Sequence, residues 1–201
     1  MATEFEIKFR IHDLQLLDCI LCDPLVTGKM QGPYQYVKMQ TTYYDTESGA
    51  LSARKWMLRL RQENEESVVT MKTPAQGYAR GEWECREQYL DDAVKKLVAA
   101  GAPQELKEIA KEGWISVCGA QFTRITQTLR LPGGTSCAIC GDIGHLTGSG
   151  KKREMCELEL ELTEGEQAEL LGFAAQLKEK YHLEEEEKSK FVRARELAQA
   201  K

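Results

Sequence analysis

The 201-residue chain has no apolar run long enough to cross a bilayer as a helix, only three histidines, and no surplus of positive charge. Each absence removes a class of function. A membrane-spanning helix needs about 20 mostly apolar residues, so none is expected. At the N-terminus Glu4, Phe5, Glu6, Ile7 and Lys8 come at once, with no apolar stretch behind a basic leader, and the expectation is a cytoplasmic protein. A net charge of -5 argues against a general binder of nucleic acid or anionic membrane, both of which call for a basic surface. It leaves room for a local basic pocket. His12, His145 and His182 share no metal-ligand spacing.

The seven cysteines are an odd set, which fits reduced thiols. Two Cys-x-x-Cys pairs, Cys19/Cys22 and Cys137/Cys140, stand far apart in the chain, where zinc ribbons place their pairs roughly 15 to 20 residues apart. Cys137 and Cys140 also fall in a strand pattern, where an offset of three points them to opposite faces. Buried free thiols are the expectation. Gly148-Ser149-Gly150-Lys151-Lys152 lacks the first glycine and the Ser/Thr of a phosphate-binding P-loop and reads as a basic turn. Ser52-Ala53-Arg54-Lys55 matches Ser-x-x-Lys without the companion motifs of an acyl-transfer enzyme.

What is present is the composition of one ordinary globular domain over residues 1–201: 42% apolar, 29% charged, mean hydropathy -0.47. Period-two alternation predicts eight strands: Glu4 to Ile11, Gln40 to Tyr44, Trp56 to Gln62, Val68 to Thr73, Glu82 to Arg86, Phe122 to Leu131, Ser136 to Asp142 and Glu154 to Leu162. Helical patterns fill much of the rest. Asp13 should cap a helix reaching Cys22, and Asp91 one running to about Lys111 with Gly101 as a stop. Thr163 and Glu166 form a capping box ahead of a stripe of Leu170, Phe173, Ala174, Leu177 and Tyr181. The acidic run Glu184 to Glu187 reads as the solvated start of a last helix through Phe191 to Ala200.

Eight antiparallel strands are enough to close without free edges, and the predicted fold is α+β, an eight-stranded antiparallel β-barrel with covering helices. Several strands carry like charges at every second position: Glu4/Glu6, Arg59/Arg61, Glu82/Glu84 and Glu157/Glu159/Glu161. One such ladder is ordinarily a solvated sheet face. Together they are sorted by sign into separate strands, whereas a solvated face mixes signs because like neighbours repel. If these faces point inward, Lys8, Arg10, Arg59, Arg61, Lys72, Arg86, Arg124 and Arg130 line the bore with cations and the glutamates form an anionic patch. A dry interior of that kind costs several kcal/mol per ion, so the bore should be wet and hold a ligand. Arginine forks and lysines suit a polyanion, and clustered carboxylates suit Mg2+ or Mn2+.

The opening Glu4-x-Glu6-x-Lys8, followed in order by Thr42-Tyr43-Tyr44-Asp45-Thr46, Leu58-Arg59-Leu60-Arg61, Thr70-Met71-Lys72, Arg80 with Glu82-Trp83-Glu84, Thr123-Arg124, Asp142 with Gly144, Glu157 to Glu161 and Ser189-Lys190, resembles the CYTH, or triphosphate tunnel metalloenzyme, superfamily. These segments cover nearly the whole chain. The resemblance implies an eight-stranded tunnel holding a linear triphosphate. It implies phosphate contacts from Lys8, Arg59, Arg61, Lys72 and Arg124, joined by Lys190 from the C-terminal helix. It implies a divalent metal, Mg2+ or Mn2+, among Glu4, Glu6, Glu157 and Glu159, with Glu82, Glu84 and Glu161 nearby. Glu84 and Arg130 join the expected substrate contacts, and Glu4 and Glu6 with the five strand cations form the expected catalytic set. Two departures stand out, Gln127 where many relatives carry an aromatic residue and Ala138 where some carry an acid.

The expected activity is metal-dependent hydrolysis of inorganic triphosphate by water, with the small triphosphate as its partner and neither nucleic acid nor membrane involved. The alternatives are thiamine triphosphate hydrolysis or class IV-type cyclisation of ATP in the same tunnel, and a polyphosphate- or nucleotide-binding module without turnover.

Overall fold

The computed structural model describes residues 5–76 and 79–200. In chain order the elements are β1 (Glu6–Arg10), α1 (Leu14–Leu21), α2 (Pro24–Thr27), β2 (Gln35–Asp45), α3 (Ala50–Ala53), β3 (Met57–Glu63), β4 (Glu66–Gln76), β5 (Ala79–Arg86), α4 (Leu90–Ala99), α5 (Glu105–Ala110), β6 (Ile115–Arg130), β7 (Ser136–Gly148), β8 (Lys151–Glu164), α6 (Gln167–Tyr181), β9 (Glu184–Glu185) and α7 (Lys190–Gln199). The strands form one antiparallel sheet in the order β5-β4-β3-β2-β6-β7-β8-β1-β9.

All eight predicted strands are present, within an α+β fold of antiparallel sheet and covering helices. The barrel, however, is not closed. Among the described residues β5 pairs only with β4, and β1 pairs with β8 and with the two-residue β9. The sheet nevertheless curls almost fully round, because Glu84 of β5 and Glu6 of β1, from opposite ends of the strand order, line one cavity.

Outward-facing residues meet helices, as the alternation requires. Phe9, Leu129, Ile139, Leu158 and Leu160 pack with Leu17 and Ile20 of α1 and Leu170 and Leu177 of α6. Leu58, Val69 and Met71 pack with Val94 and Leu97 of α4 and Leu106 of α5. A third cluster lies on the concave side: Met39, Tyr43, Met57, Phe122, Leu146 and Met155 share strand faces with the cavity residues and pack against Ala194 and Leu197 of α7. The last helix therefore fills one part of the bore and leaves the rest open.

Several local expectations change. Asp13 caps α1, accepting from Leu16 N at 2.7 Å, and Gly101, whose φ is +102°, stops the helical stretch as expected, but Tyr89 and not Asp91 precedes α4. β8 runs through Thr163 to Glu164, so no capping box forms and α6 starts after Glu166 without a side-chain cap. The acidic run is not a helix start: Glu184 and Glu185 form β9 beside Phe9 and Arg10, and Ser189 caps α7. Cys137 and Cys140 are buried free thiols, whereas Cys19 and Cys22 are exposed, since α1 turns Leu17, Ile20 and Leu21 inward. β7 extends past its predicted end at Asp142 because Gly144 and Gly148 interrupt the apolar pattern without interrupting the ladder. Ser149 and Gly150, both at positive φ, make the two-residue turn into β8.

Gly148 sets the seat of α7. A Cβ there would lie 2.7 Å from Ala198 N and 2.8 Å from Ala194 O, atoms of the helix backbone that have nowhere to go. Gly148→Ala should therefore cost about 1–3 kcal/mol and lower the melting midpoint by several degrees. Gly172 in α6 has nothing within 4 Å of such a Cβ, so Gly172→Ala should stabilise by about 0.5–1 kcal/mol. Thermal unfolding of the two variants separates a packing role from a general glycine effect.

Candidate active site

The concave face holds a cavity of about 600 Å3 lined by Lys8, Arg59, Arg61, Lys72, Arg124 and Lys190, and by Glu6, Glu82, Glu84, Glu159 and Glu161. Eight elements converge on it, so no local stretch of sequence contains the site. Burial is graded: Glu6 and Glu84 are exposed at the mouth, while Lys8, Lys72, Glu159 and Lys190 are buried. Register explains the pairing of signs on one wall, since Lys8 of β1 lies opposite Glu159 of β8, and Glu6 opposite Glu161.

The β8–α7 side is internally neutralised. Lys190 Nζ meets Asp142 Oδ2 and Glu159 Oε1, each at 2.8 Å, and also Glu157 Oε1. Arg124 donates to both oxygens of Asp142, at 2.8 and 2.7 Å, and to Glu159 Oε2 at 2.5 Å. Burial alone would raise the Glu159 carboxyl, but Lys190, Arg124 and Lys8 hold it well below the ordinary glutamate value. Burial likewise works against the Lys190 ammonium, yet Asp142, Glu159 and Glu157 hold it above the ordinary lysine value.

The β3 side is different. Arg59 Nε is buried with no hydrogen-bond partner. Arg61 donates to Thr41 Oγ1 at 3.2 Å and reaches Glu63 only at 3.6 Å. Burial first, and then the neighbouring Arg59, push the Arg61 guanidinium below its usual value. On the neighbouring strands of the same wall, Lys72 of β4 pairs with Glu82 of β5 at 3.0 Å, and Glu84 accepts from Thr70 Oγ1 at 3.2 Å. The cavity is thus compensated on one wall and cation-rich on the other.

Of the residues expected from sequence, Glu6, Lys8, Arg59, Arg61, Lys72, Glu84, Arg124, Glu159 and Lys190 line this cavity. Glu4 lies outside the described residues, as does the side chain of Arg80. Arg130 is not brought to it: half-exposed, it donates to Ser136 Oγ at 2.7 Å and faces Glu164. Arg10 pairs with Glu186 and Arg86 with Glu66, both away from the cavity. Glu157 is fully buried behind the cavity wall, held by Lys190 and Arg193. Gln127 donates to Pro33 O on the rim of the fold.

Sequence reasoning missed Asp142, Arg193 and Glu186 as members of the charge network. Asp142 carried a signal, being an acid on the same face of β7 as Cys140 and the cavity wall. Arg193 stands one helical turn after Lys190, a spacing that gains meaning only once α7 is known to enter the bore. Glu186 sat in an acidic run with no apolar neighbours to mark it as buried.

Oxygen donors suited to a hard divalent cation occur in two places. Asp142, Glu157 and Glu159 have carboxylate oxygens within 4.8 Å of one another, but the Lys190 ammonium meets all three. Glu6 and Glu161, side by side across β1 and β8, face the open cavity and offer carboxylate oxygens of the kind such an ion takes, while Glu159, next along the strand, is held by Lys190 and Arg124.

Because the folded state holds Glu159 in its ionised form, its stabilising effect is complete above the ordinary glutamate pKa of about 4.3 and lost as pH falls through the lower folded value. Glu159→Gln should lower the melting midpoint at pH 7 and flatten its decline between about pH 5 and 3. Melting curves across that range check both.

A family model described as the CYTH domain matches residues 2–194. No curated protein gives a sequence match. Among solved structures, a putative adenylyl cyclase from Hippeastrum described as having a dominant triphosphatase activity superposes with a TM-score of 0.60 at 20% identity, over 96% of this chain and 95% of that one. A putative adenylate cyclase from Bacillus halodurans gives 0.57 at 11% identity, over 94% and 96%. The PH1819 protein of Pyrococcus horikoshii gives 0.51 at 18% identity, over 92% and 94%. These likenesses establish the shared fold, and with a family match that spans nearly its full length, this chain belongs to the CYTH domain family.

Proposed function

We propose that the protein is a metal-dependent hydrolase of inorganic triphosphate, acting in the charged cavity. The observation that carries this reading is Arg59, a partly buried arginine whose buried Nε has no hydrogen-bond partner, beside the sparsely paired Arg61. Cations so placed call for an anion, and guanidinium forks match phosphate oxygens. The triphosphatase activity ascribed to the Hippeastrum protein supports the same reaction class.

A bare phosphate chain fits better than a nucleotide or thiamine ester. Tyr43 and Phe191, the aromatic groups of the lining, pack against each other as a tilted pair with centroids 4.9 Å apart, and Tyr43 is only 2% exposed. The two rings contact each other, and the rest of the described lining is mostly charged.

In this reading Arg59, Arg61 and Lys72 grip phosphate oxygens from one wall and Lys8, Arg124 and Lys190 from the other, drawing off charge as the terminal phosphoryl group separates. Glu6 and Glu161, with Glu159 beside them, hold Mg2+ or Mn2+, which when bound offsets the negative charge of the phosphate oxygens. Glu84, oriented by Thr70 and opposite these acids, accepts a proton from the attacking water. The water oxygen bonds to the terminal phosphorus as the anhydride P–O bond breaks, and pyrophosphate leaves.

Phosphate release from inorganic triphosphate, thiamine triphosphate and ATP, measured with Mg2+ and Mn2+, tests the proposal. Inorganic triphosphate should be the preferred substrate, with Glu6→Gln abolishing turnover and Arg59→Met raising KM about 10- to 100-fold. Pyrophosphate and a cyclic nucleotide from ATP would establish the cyclase reading instead. Triphosphate affinity that survives chelation without hydrolysis would establish a binding module.

A further inference from the structure

We propose that Arg193 is a positioning residue for Lys190, acting through Glu157, and that Glu157 serves this pair of cations and not a metal ion. The inference rests on the reading of the cavity as a phosphate site. Lys190 and Arg193 stand at i and i+3 on α7 and so share a face. Between them lies Glu157, fully buried, with Oε1 on the Lys190 ammonium and Oε2 on the Arg193 guanidinium.

Lys190 lines the cavity, whereas Glu157 lies behind it. A buried carboxylate with only one cation would draw that cation toward both of its oxygens. Arg193 occupies one oxygen and leaves Lys190 shared between Glu157, Asp142 and Glu159, at the wall where a phosphate chain would meet it. The ammonium thus has three carboxylates as ion-pair partners and donates a hydrogen bond to one of them, Glu159. Together Asp142, Glu157 and Glu159 balance Lys190, Arg124 and Arg193 in charge, so a divalent cation placed among these acids would face the ammonium directly.

Arg193 is itself held in a frame. Its other guanidinium nitrogen lies 3.7 Å from Glu186 Oε2, which accepts from Arg10 at 2.8 Å. Glu186 Oε1 accepts from Lys188 N at 3.0 Å, and Glu186 N donates to Lys8 O at 2.8 Å. The brace therefore runs from the backbone of the strand that carries Lys8 to the helix that carries Lys190.

The test combines calorimetric binding of tripolyphosphate and hydrolysis kinetics for Arg193→Met, Lys190→Met and the double variant with the 15Nζ signal of the Lys190 ammonium in the free protein. Lys190→Met should weaken binding about 10- to 100-fold, and Arg193→Met about 10-fold, seen mainly in KM. In the double variant the Arg193 change should add nothing to the Lys190 loss. Arg193→Lys should restore part of the affinity. The ammonium signal should shift or vanish in Arg193→Met. Additive losses, wild-type affinity in Arg193→Met, or an unmoved ammonium signal would each overturn the proposal. Should Arg193→Met fail to fold, Glu157→Gln/Arg193→Met removes both buried charges together and is read by the same signal and the same cycle. A folded wild type that neither binds nor cleaves tripolyphosphate counts against the phosphate reading, while the ammonium signal still decides the positioning.

Discussion

The ammonium of Lys190, buried among three carboxylates inside a curled sheet, is the constraint on which the other features depend. Desolvating one cation and three acids is costly unless opposite charges meet them, and here the ammonium, Arg124 and Arg193 supply the ion pairs. The arrangement specifies position more than it adds stability. Ser189 fixes where α7 begins, its Oγ accepting from Val192 N at 3.3 Å, and Gly148 fixes how closely the far end of the helix approaches β7. Between those two points the helix can present Lys190 in one way only.

Because the β8–α7 wall settles its own charge, the attraction for a polyanion must come chiefly from the opposite wall. Arg59 and Arg61 share one face of β3, and burial together with the neighbouring Arg59 disfavours the charge of Arg61, with Glu63 and Thr41 as weak compensation. The result is a polarity across the bore, firm and neutral on one side and under-compensated on the other. A phosphate chain placed between them relieves the β3 side without dismantling the β8 side, which is what an anion site requires if it is to release its product.

The strands and the inward turn of their charges were legible because period-two alternation is local: Arg59 with Arg61, or Glu157 with Glu159, cannot share a face with Leu58 or Leu158. Closure was not legible, since each strand reads the same whether the sheet closes or stays open. Glu157 shows the limit at the site. Its parity put it with Glu159 and Glu161, but depth along the bore is set by α7, whose entry into the concave side no periodicity records. Glu186 misled for a related reason, being an acid among acids whose burial follows from the pairing of β9 with β1 and not from any neighbour in sequence. Arg130 had the right alternation yet sits beyond the part of β6 that faces the cavity, so face alone overstated the set.

The open seam is consistent with the lining. A barrel closed over five acids and six cations would hold them in a low-dielectric interior, where residual imbalance on β3 would be severe. With β5 unpaired to β1 among the described residues, and with Glu6 and Glu84 exposed beside that gap, water reaches the mouth while the deeper lysines stay buried. The exposed edges carry their own protection against pairing with another chain, since β9 is two residues long and β5 presents Glu82, Glu84 and Arg86. Openness on that side and the α7 plug on the other meet the same electrostatic requirement, in that charges with internal partners are buried and charges that await a ligand keep access to solvent.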